Sequence, residues 1–465
     1  MSSEVMVGRW TAGELARLVG ADLEGEPGVG FDAITTDSRE SRPGAAFFAL
    51  DGTRVRGMQF AGTAFGSGCP VVVVPADWSG EVPEGRAALR CPDPLAALAA
   101  LAVSIRRTWT CPVLAVTGSN GKTTVKEMTA HLLGEDRSVL RSPGNLNTVV
   151  GLARTVADVA APPDVAVLEV GASLPGEIAR LAEMVRPSAA CVTNVGPAHL
   201  EGFGSMRAVA REKLSLLRAV PSGGVRVIDG DDSLLAEEAA DLEVLRCGLQ
   251  EGNDLRATDL RPDDTGTDFR IEGGPAGRVP MPGPHHVRNA LAALALARAH
   301  GVTLERGMER LRSFAGVPGR MSTFEAGGVL VVDDAYNANP ASMRAALEWF
   351  GAMRRSGRRA LVLGDMLELG AASPEFHREI GGLTLDTDPA LVVLVGEEMR
   401  AGFEEASRRS PNDKRLRHVA LSSEAARLLV DWVVEGDAVL VKGSRGVRME
   451  RVVQALRERG DAHAV

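Results

Sequence analysis

Eight residues constrain this fold more than any others: Thr117-Gly118-Ser119-Asn120-Gly121-Lys122-Thr123-Thr124, at the junction of the strand-like run PVLAVTG and the helical run VKEMTAHLL. A glycine-rich turn that leaves a strand and opens a helix aims successive backbone N–H groups, and the positive end of the helix, at bound phosphate. Lys122 adds a charge for the outer phosphates and Thr123 a hydroxyl for Mg²⁺. The standard P-loop spacing would put its first glycine at Val116, whereas here Gly118 stands closer in. A glycine-rich turn without a ligand is the plainer alternative. Strand, glycines, Lys-Thr and helix in this order favour phosphate binding, and a chain built around such a turn is expected to be α/β with a mainly parallel sheet.

With 465 residues, about three domains of about 150 residues are expected. Hydrophobic residues make up 45% and charged residues 24%, and 52 Gly with 25 Pro are too few for a collagenous or low-complexity chain. Aromatic residues are only 4%, with Tyr336 the single tyrosine, so the cores must be built from Ala, Val and Leu. The formal charge of −9 disfavours a nucleic-acid binder, which needs clustered Lys and Arg, so bound phosphate must be met locally. The five cysteines, Cys69, Cys91, Cys111, Cys191 and Cys247, are scattered without metal-ligand spacing and read as reduced core thiols. The N-terminal stretch lacks a basic region followed by an apolar core. The longest apolar run, Pro94 to Val103, falls short of a membrane span of about 20 residues. A cytoplasmic protein without membrane insertion is expected.

Three regions separate on pattern. Residues 1–92 carry a short helical run, TAGELARLVG, and brief strand-like segments such as AAFFAL and PVVVVPA, which read as a small α/β unit. Residues 93–314 begin with an N-cap and first-turn proline, Asp93-Pro94, ahead of a helical spacing Leu95, Leu98, Leu101, Ala102, Ile105. From Pro112 strand-like runs alternate with amphipathic helices. The acidic, Gly-rich stretch 229–281 breaks that rhythm and reads as loops with an antiparallel extension. Residues 315–465 repeat the alternation in VLVVDD, ALVLGDM, ALVVLVG and DAVLVKG, predicting a doubly wound, Rossmann-like domain with function at its strand ends.

Glu169 ends the strand-like run DVAVLEV, and His199 follows AACVTNV in the loop NVGPAHLEGFGS. Both fall at strand C-terminal ends, the edge where the P-loop lies, and could serve a second metal or orient a reacting group. Lys213 in AVAREKLSLL reads by itself as a solvated helix lysine.

Taken together, TGSNGKTT, LEVGAS, NVGPAHLEGFGS, GPHHVRNALAALA, GVPGRM, VVDDAYNANP, VLGDMLELG with His377 downstream, and LVKGSRGVRMERVV resemble the Mur ligases of peptidoglycan synthesis, within them the branch that adds D-alanyl-D-alanine. The resemblance spans essentially the whole chain, including TTDSR and FFALDGTRVRG. It implies a UDP-binding N-terminal domain, a central ATPase domain and a C-terminal ligase domain. It also implies ATP-dependent ligation of D-alanyl-D-alanine to the terminal carboxylate of a UDP-N-acetylmuramoyl-tripeptide through an acyl phosphate; separately, a monomer is expected. By resemblance, Gly118 to Thr124 hold the ATP phosphates. Thr123 takes one Mg²⁺, and Glu169, His199 and a carbamylated Lys213 help hold a second. Asn289 lies on the adenine side, Arg320 contacts phosphate, and Asp334 serves the ribose or phosphate. Asp37, Ser38 and Arg39 face the UDP end, Asn145, Asn147 and Thr148 line the muramoyl-peptide channel, and Asn337 and Asn339 contact substrate. Tyr336, between Asp334 and Asn337, is expected to wall the inter-domain cleft against ATP or dipeptide. Where the family commonly reads His-Asn-x-x-Asn this chain has His285-His286-Val287-Arg288-Asn289, so His286 replaces the first asparagine. An imidazole offers one hydrogen bond where an amide offers two, and the adenine contact is assigned to Asn289.

The rival functions are a sister Mur ligase or folylpolyglutamate synthase adding a single amino acid, and a catalytically silent nucleotide-binding scaffold. DDAYNANP and GDMLELG argue against the first. The presence of Lys122, Thr123, Glu169, His199, Lys213 and Arg320 argues against the second.

Overall fold

The computed structural model describes residues 10–52, 55–159, 161–197, 200–353 and 356–463; His199 lies outside the described residues. A five-stranded sheet comes first, in the order Asp22–Gly25, Ala87–Cys91, Val71–Pro75, Ala45–Phe48, Ala33–Thr35, parallel except for the edge strand Asp22–Gly25. The helix Ala12–Val19 beside it starts where the Thr11 and Glu14 side chains cap each other's backbone N–H groups and stops at the left-handed Gly20.

The helix Pro94–Arg107 forms as its sequence predicts: the Asp93 carboxylate accepts from Leu95 N at 2.8 Å and Pro94 occupies the first turn. Its buried face, Leu98, Leu101, Ala102 and Ile105, lies between the first sheet and the second. Leu15, Phe48, Val73 and Leu89 on one side and Val113, Ala115, Leu168 and Val192 on the other belong to one continuous apolar core with it. Polar ties cross the same boundary, with Ile34 N donating to Asp158 Oδ1 at 3.2 Å and Arg154 paired with Glu40 at 2.8 Å.

The second sheet has nine strands, ordered Ala276–Val279, Thr267–Ile271, Leu255–Pro262, Leu245–Gly248, Val225–Asp229, Ala189–Val192, Val113–Thr117, Val165–Glu169, Val139–Arg141. Seven strands, from Leu255–Pro262 to Val139–Arg141, are parallel, and a hairpin adds two antiparallel ones. Stretch 229–281 therefore contains the expected antiparallel extension but also two further parallel strands and the helix Ser233–Glu238, where loops were expected. Its acidic residues mimic a loop because they cap the joints. Asp231 accepts from the N–H groups of Leu249 and Gln250, Asp232 caps the helix, and Asp263 closes the hairpin turn at Thr265 and Gly266.

Strand side chains alternate between two buried faces, Val113, Ala115, Leu168 and Val192 toward one core and Leu114, Val116, Val167 and Cys191 toward the other, as expected where helices cover both sides of a parallel sheet. None of the five cysteines is paired, and burial pushes the Cys191 thiol far above its ordinary value.

The third sheet has six strands in the order Ser322–Ala326, Val329–Asp334, Ala438–Lys442, Arg359–Gly364, Leu391–Val395, Leu416–Val419, parallel except for the first. Two separate apolar cores flank it, both made only of residues from Met321 onward. The mixed α/β architecture with parallel sheets agrees with the sequence. Among the described residues no helix is long and apolar enough to cross a membrane.

Candidate active site

The carboxyl ends of the second and third sheets face each other across a cavity of about 700 Å³. The chain reverses its winding about the central strand Val113–Thr117, which has Val165–Glu169 on one side and Ala189–Val192 on the other. Ligands of open parallel sheets collect at such a switch point. The 118–124 turn sits there, opening the helix Lys122–Leu133.

Backbone geometry explains both glycines of the turn. Gly121 has φ +81°, and a Cβ there would lie 2.5 Å from Asn289 Oδ1; at Gly118 it would lie 1.9 Å from Thr193 Oγ1. The loop after Ala189–Val192 braces the turn: Ser119 N donates to Asn194 O at 3.0 Å, Asn120 N to Asn194 Oδ1 at 2.9 Å, and Gly196 N to Ser119 Oγ at 2.8 Å. Lys122 Nζ folds back onto the carbonyls of Gly118 and Ser119 at 2.8 and 3.3 Å. Its pKa is lowered, chiefly by burial, with Glu169 acting against that.

Glu169 is buried and held at both oxygens. Thr123 Oγ1 donates to Oε2 and Asn147 Nδ2 to Oε1, each at 2.8 Å. Asn147 shares the cavity-lining loop with Asn145 and Thr148, and Thr148 caps the helix Val149–Ala157. A residue not singled out from sequence anchors this loop. The fully buried Lys126 Nζ donates to Ser142 O at 2.6 Å and Gly144 O at 2.9 Å, and Ser142 Oγ accepts from Glu169 N at 3.0 Å. Lys213 is also buried, and burial together with the nearby Lys122 charge lowers its pKa to about 7. The solvated-helix reading of Lys213 does not hold.

From the third sheet, Arg320 Nη2 reaches Thr123 Oγ1 at 3.3 Å, while its buried Nε has no partner among the described residues. Asp334 accepts from Met321 N at 3.1 Å and from Lys442 Nζ at 2.6 Å. Asn339 Nδ2 donates to Asn120 Oδ1 at 2.6 Å, joining the third sheet's wall to the phosphate turn. Tyr336 and Asn337 line the same cavity; the Tyr336 hydroxyl is buried without a partner among the described residues, and burial raises its pKa. The Arg320 and Arg445 guanidiniums lie 4.0 and 5.1 Å from the Tyr336 ring centroid. Thr123, Arg320 and Tyr336 also border a second cavity of about 880 Å³ behind the phosphate turn.

His286 packs its ring 4.1 Å from that of His285 and has an unpartnered, buried Nε2. Burial drives its pKa well below 6.5, and that of His285 to about 4, so both are neutral at pH 7. His377 is buried below the cavity-lining loop 367–369, its Nε2 accepting from Met366 N at 3.0 Å.

Asp37, Ser38 and Arg39 stand apart from this cavity, at the short helix Ser38–Glu40 that follows the first sheet's edge strand Ala33–Thr35. Arg39 closes an ion pair on Asp37, with Nε 2.9 Å from Oδ1, which holds that carboxyl down at about 2. The remaining predicted residues among those described, from Gly118 to Asn339, line the one cavity. The structure adds Lys126, Ser142, Lys442 and Arg445. Lys442 and Arg445 lay in a motif already noted, and Lys126 only in a helix.

Among the described residues, no group of three or more His, Cys, Asp or Glu side chains forms a ready metal centre. Two oxygen donors, Thr123 Oγ1 and Glu169, do adjoin the phosphate turn.

Comparison with known proteins gives matches to the Mur ligase middle domain over residues 116–297 and to the Mur ligase glutamate ligase domain over 319–445. The UDP-N-acetylmuramoyl-tripeptide–D-alanyl-D-alanine ligase of Escherichia coli (strain K12) is 36% identical, over 97% of this chain and 99% of that protein. A crystal structure of MurF from Acinetobacter baumannii superposes with a TM-score of 0.86 at 31% identity, covering 98% of this chain and 100% of that one. The MurF ligase from Thermotoga maritima in complex with ADP gives 0.80 at 30% identity, covering 92% and 98%.

Proposed function

The chain belongs to the Mur ligase family, and from that premise we propose that it joins D-alanyl-D-alanine to the terminal carboxylate of a UDP-N-acetylmuramoyl-tripeptide, forming the pentapeptide precursor of peptidoglycan with release of ADP and phosphate. One observation carries the reading: Lys122, Thr123 and Glu169 of one sheet edge and Arg320 and Asp334 of the other side line a single cavity. A carboxylate is a poor electrophile until one oxygen becomes a phosphate leaving group. Phosphorylation by ATP makes it one, the dipeptide amine then attacks, and phosphate departs. Crowding a triphosphate against a carboxylate demands fixed positive charge, which Lys122 and Arg320 supply.

The chain fits the groups the reaction needs. The cradle at Gly118 and Gly121, which a Cβ would fill, and the unpartnered Arg320 Nε suit phosphate oxygens. Thr123 and Glu169 are hard oxygen donors of the kind Mg²⁺ takes alongside phosphates and water. When bound, Mg²⁺ offsets phosphate charge. Glu169, oriented by Thr123 and Asn147, stays fixed without reorganising. Lys213, its amine poised near neutrality, suits carbamylation by CO₂, in which the amine loses a proton and becomes an anionic oxygen ligand. With His199 it would complete a second Mg²⁺ site. Asn289 serves the adenine side and Asp334 the ribose or phosphate. Asn145, Asn147 and Thr148 line the muramoyl-peptide channel, and Asn337 and Asn339 contact substrate. Tyr336 walls the cleft, and Asp37, Ser38 and Arg39 face the UDP end.

The functional division is 1–92 for UDP-substrate binding, 93–314 for ATP and 315–465 for ligation, in a cytoplasmic monomer. ADP release is the test. D-alanyl-D-alanine should support it, and single amino acids and glutamate should not; dependence on a single amino acid with indifference to the dipeptide would reject the reading.

A further inference from the structure

The third sheet presents its carboxyl edge to the cavity as three neighbouring loops, after Val329–Asp334, Ala438–Lys442 and Arg359–Gly364. The cations of this edge are not equivalent. Lys442 is neutralised by Asp334 at 2.6 Å, and Arg320 turns toward the phosphate turn through Thr123 at 3.3 Å. Arg445, on the short helix Arg445–Val447, is exposed to the cavity. Among the described residues its guanidinium has no hydrogen-bond or ion-pair partner; its contact is the Tyr336 ring, 5.1 Å away at the centroid. Tyr336 thus carries two guanidiniums, neither with an ion-pair partner among the described residues although Glu169 stands near the ring, an arrangement that like-charge repulsion disfavours until an anion arrives. Stacking on an aromatic face orients a guanidinium for bidentate contact with a planar anion.

The reaction proposed above brings three anionic partners. The ATP phosphates belong to Lys122, Arg320 and the phosphate turn, and the acceptor carboxylate to the wall of Glu169 and Lys213. The third substrate attacks as a neutral amine, so its remaining charge is its C-terminal carboxylate. Resting on that reading, we propose that Arg445 receives the C-terminal carboxylate of the incoming dipeptide. The same wall is lined by Ala338, Ala341, Ala345 and Gly446, which leaves room for methyl side chains beside the guanidinium.

The experiment measures ADP release with D-alanyl-D-alanine and with its C-terminal amide, in wild type, Arg445→Met and Arg445→Lys. Wild type should prefer the acid over the amide by about tenfold or more, the worth of one charge-assisted contact. Arg445→Met should raise KM for the dipeptide by a similar factor, leave KM for ATP and for the UDP-tripeptide within about twofold, and abolish the preference for the acid. Arg445→Lys should restore part of it. A rise in KM for ATP or the UDP-tripeptide in place of the dipeptide, or an acid preference that survives in Arg445→Met, would overturn the assignment. Absence of dipeptide-dependent ADP release in wild type would instead reject the ligase reading itself.

Discussion

Replacing Lys126 by methionine separates a structural lysine from one that places the reacting groups. Nζ donates to Ser142 O at 2.6 Å and Gly144 O at 2.9 Å and pairs with Glu127 at 3.0 Å. Methionine keeps most of the apolar stem and removes the charge. Gly144 is exposed, so its carbonyl can take water, and Glu127 keeps Arg141 at 2.7 Å. The buried Ser142 carbonyl has no such recourse and loses about 1–3 kcal/mol. Lost charged hydrogen bonds add to this, while the desolvation cost of an ammonium is recovered. The net expectation is a loss of about 2 kcal/mol in urea denaturation. A released Ser142–Asn147 loop also lets Asn147 drift from Glu169, so kcat/KM for the UDP-tripeptide should fall about tenfold or more at temperatures where the variant is folded. Lys126→Arg should recover stability better than activity. Lost stability with unchanged kcat/KM would refute the placing role, and a stability change below about 0.5 kcal/mol would refute the carbonyl accounting.

Gly121→Ala forces a Cβ to 2.5 Å from Asn289 Oδ1 at φ +81°, and calorimetric titration with an ATP analogue should show affinity reduced by about tenfold or more. Lys213→Ala should abolish turnover, and wild type depleted of bicarbonate should lose activity and regain it on readdition; full turnover in the variant would discard the carbamate. For pH, His286 is held well below 6.5 and His285 to about 4 by burial, with Lys442 and Arg288 adding to the effect on His285. The unfolded chain therefore takes up these protons first. Stability is whole above about pH 6.5 and falls as pH drops toward 4, by up to about 1.4 kcal/mol per pH unit for each group. His286→Asn should flatten that slope in urea midpoints between pH 7.5 and 5, and an unchanged slope would exclude His286 as a source of it.

Much of the site is legible because its chemistry is local. A phosphate turn needs a strand, glycines, Lys-Thr and a helix in contiguous order, and Glu169 and Asp334 end strands recognisable from their apolar runs. What escapes reading is set by tertiary pairing. Lys126 and Lys213 have the helical setting of solvated lysines; their burial comes from a loop or strand edge brought in from elsewhere in the chain. Arg445 is set apart from other arginines by its place beside the Tyr336 ring at the cavity, which only the folded chain shows. The carboxylates of stretch 229–281 resemble those of an open loop because the same Asx chemistry that builds turns also caps helices and joins strands.

The apolar core that runs unbroken through the helix Pro94–Arg107 has a mechanical meaning. Sliding the first sheet against the second would tear a shared core, whereas the third sheet keeps its own cores and meets the phosphate turn through polar contacts such as Asn339 to Asn120. Hydrogen bonds of that kind exchange with water at little cost, and buried apolar area does not. The apolar cores therefore divide the molecule into two bodies rather than three: the first two sheets as one block, and the third sheet joined to it through the segment Gly316–Arg320.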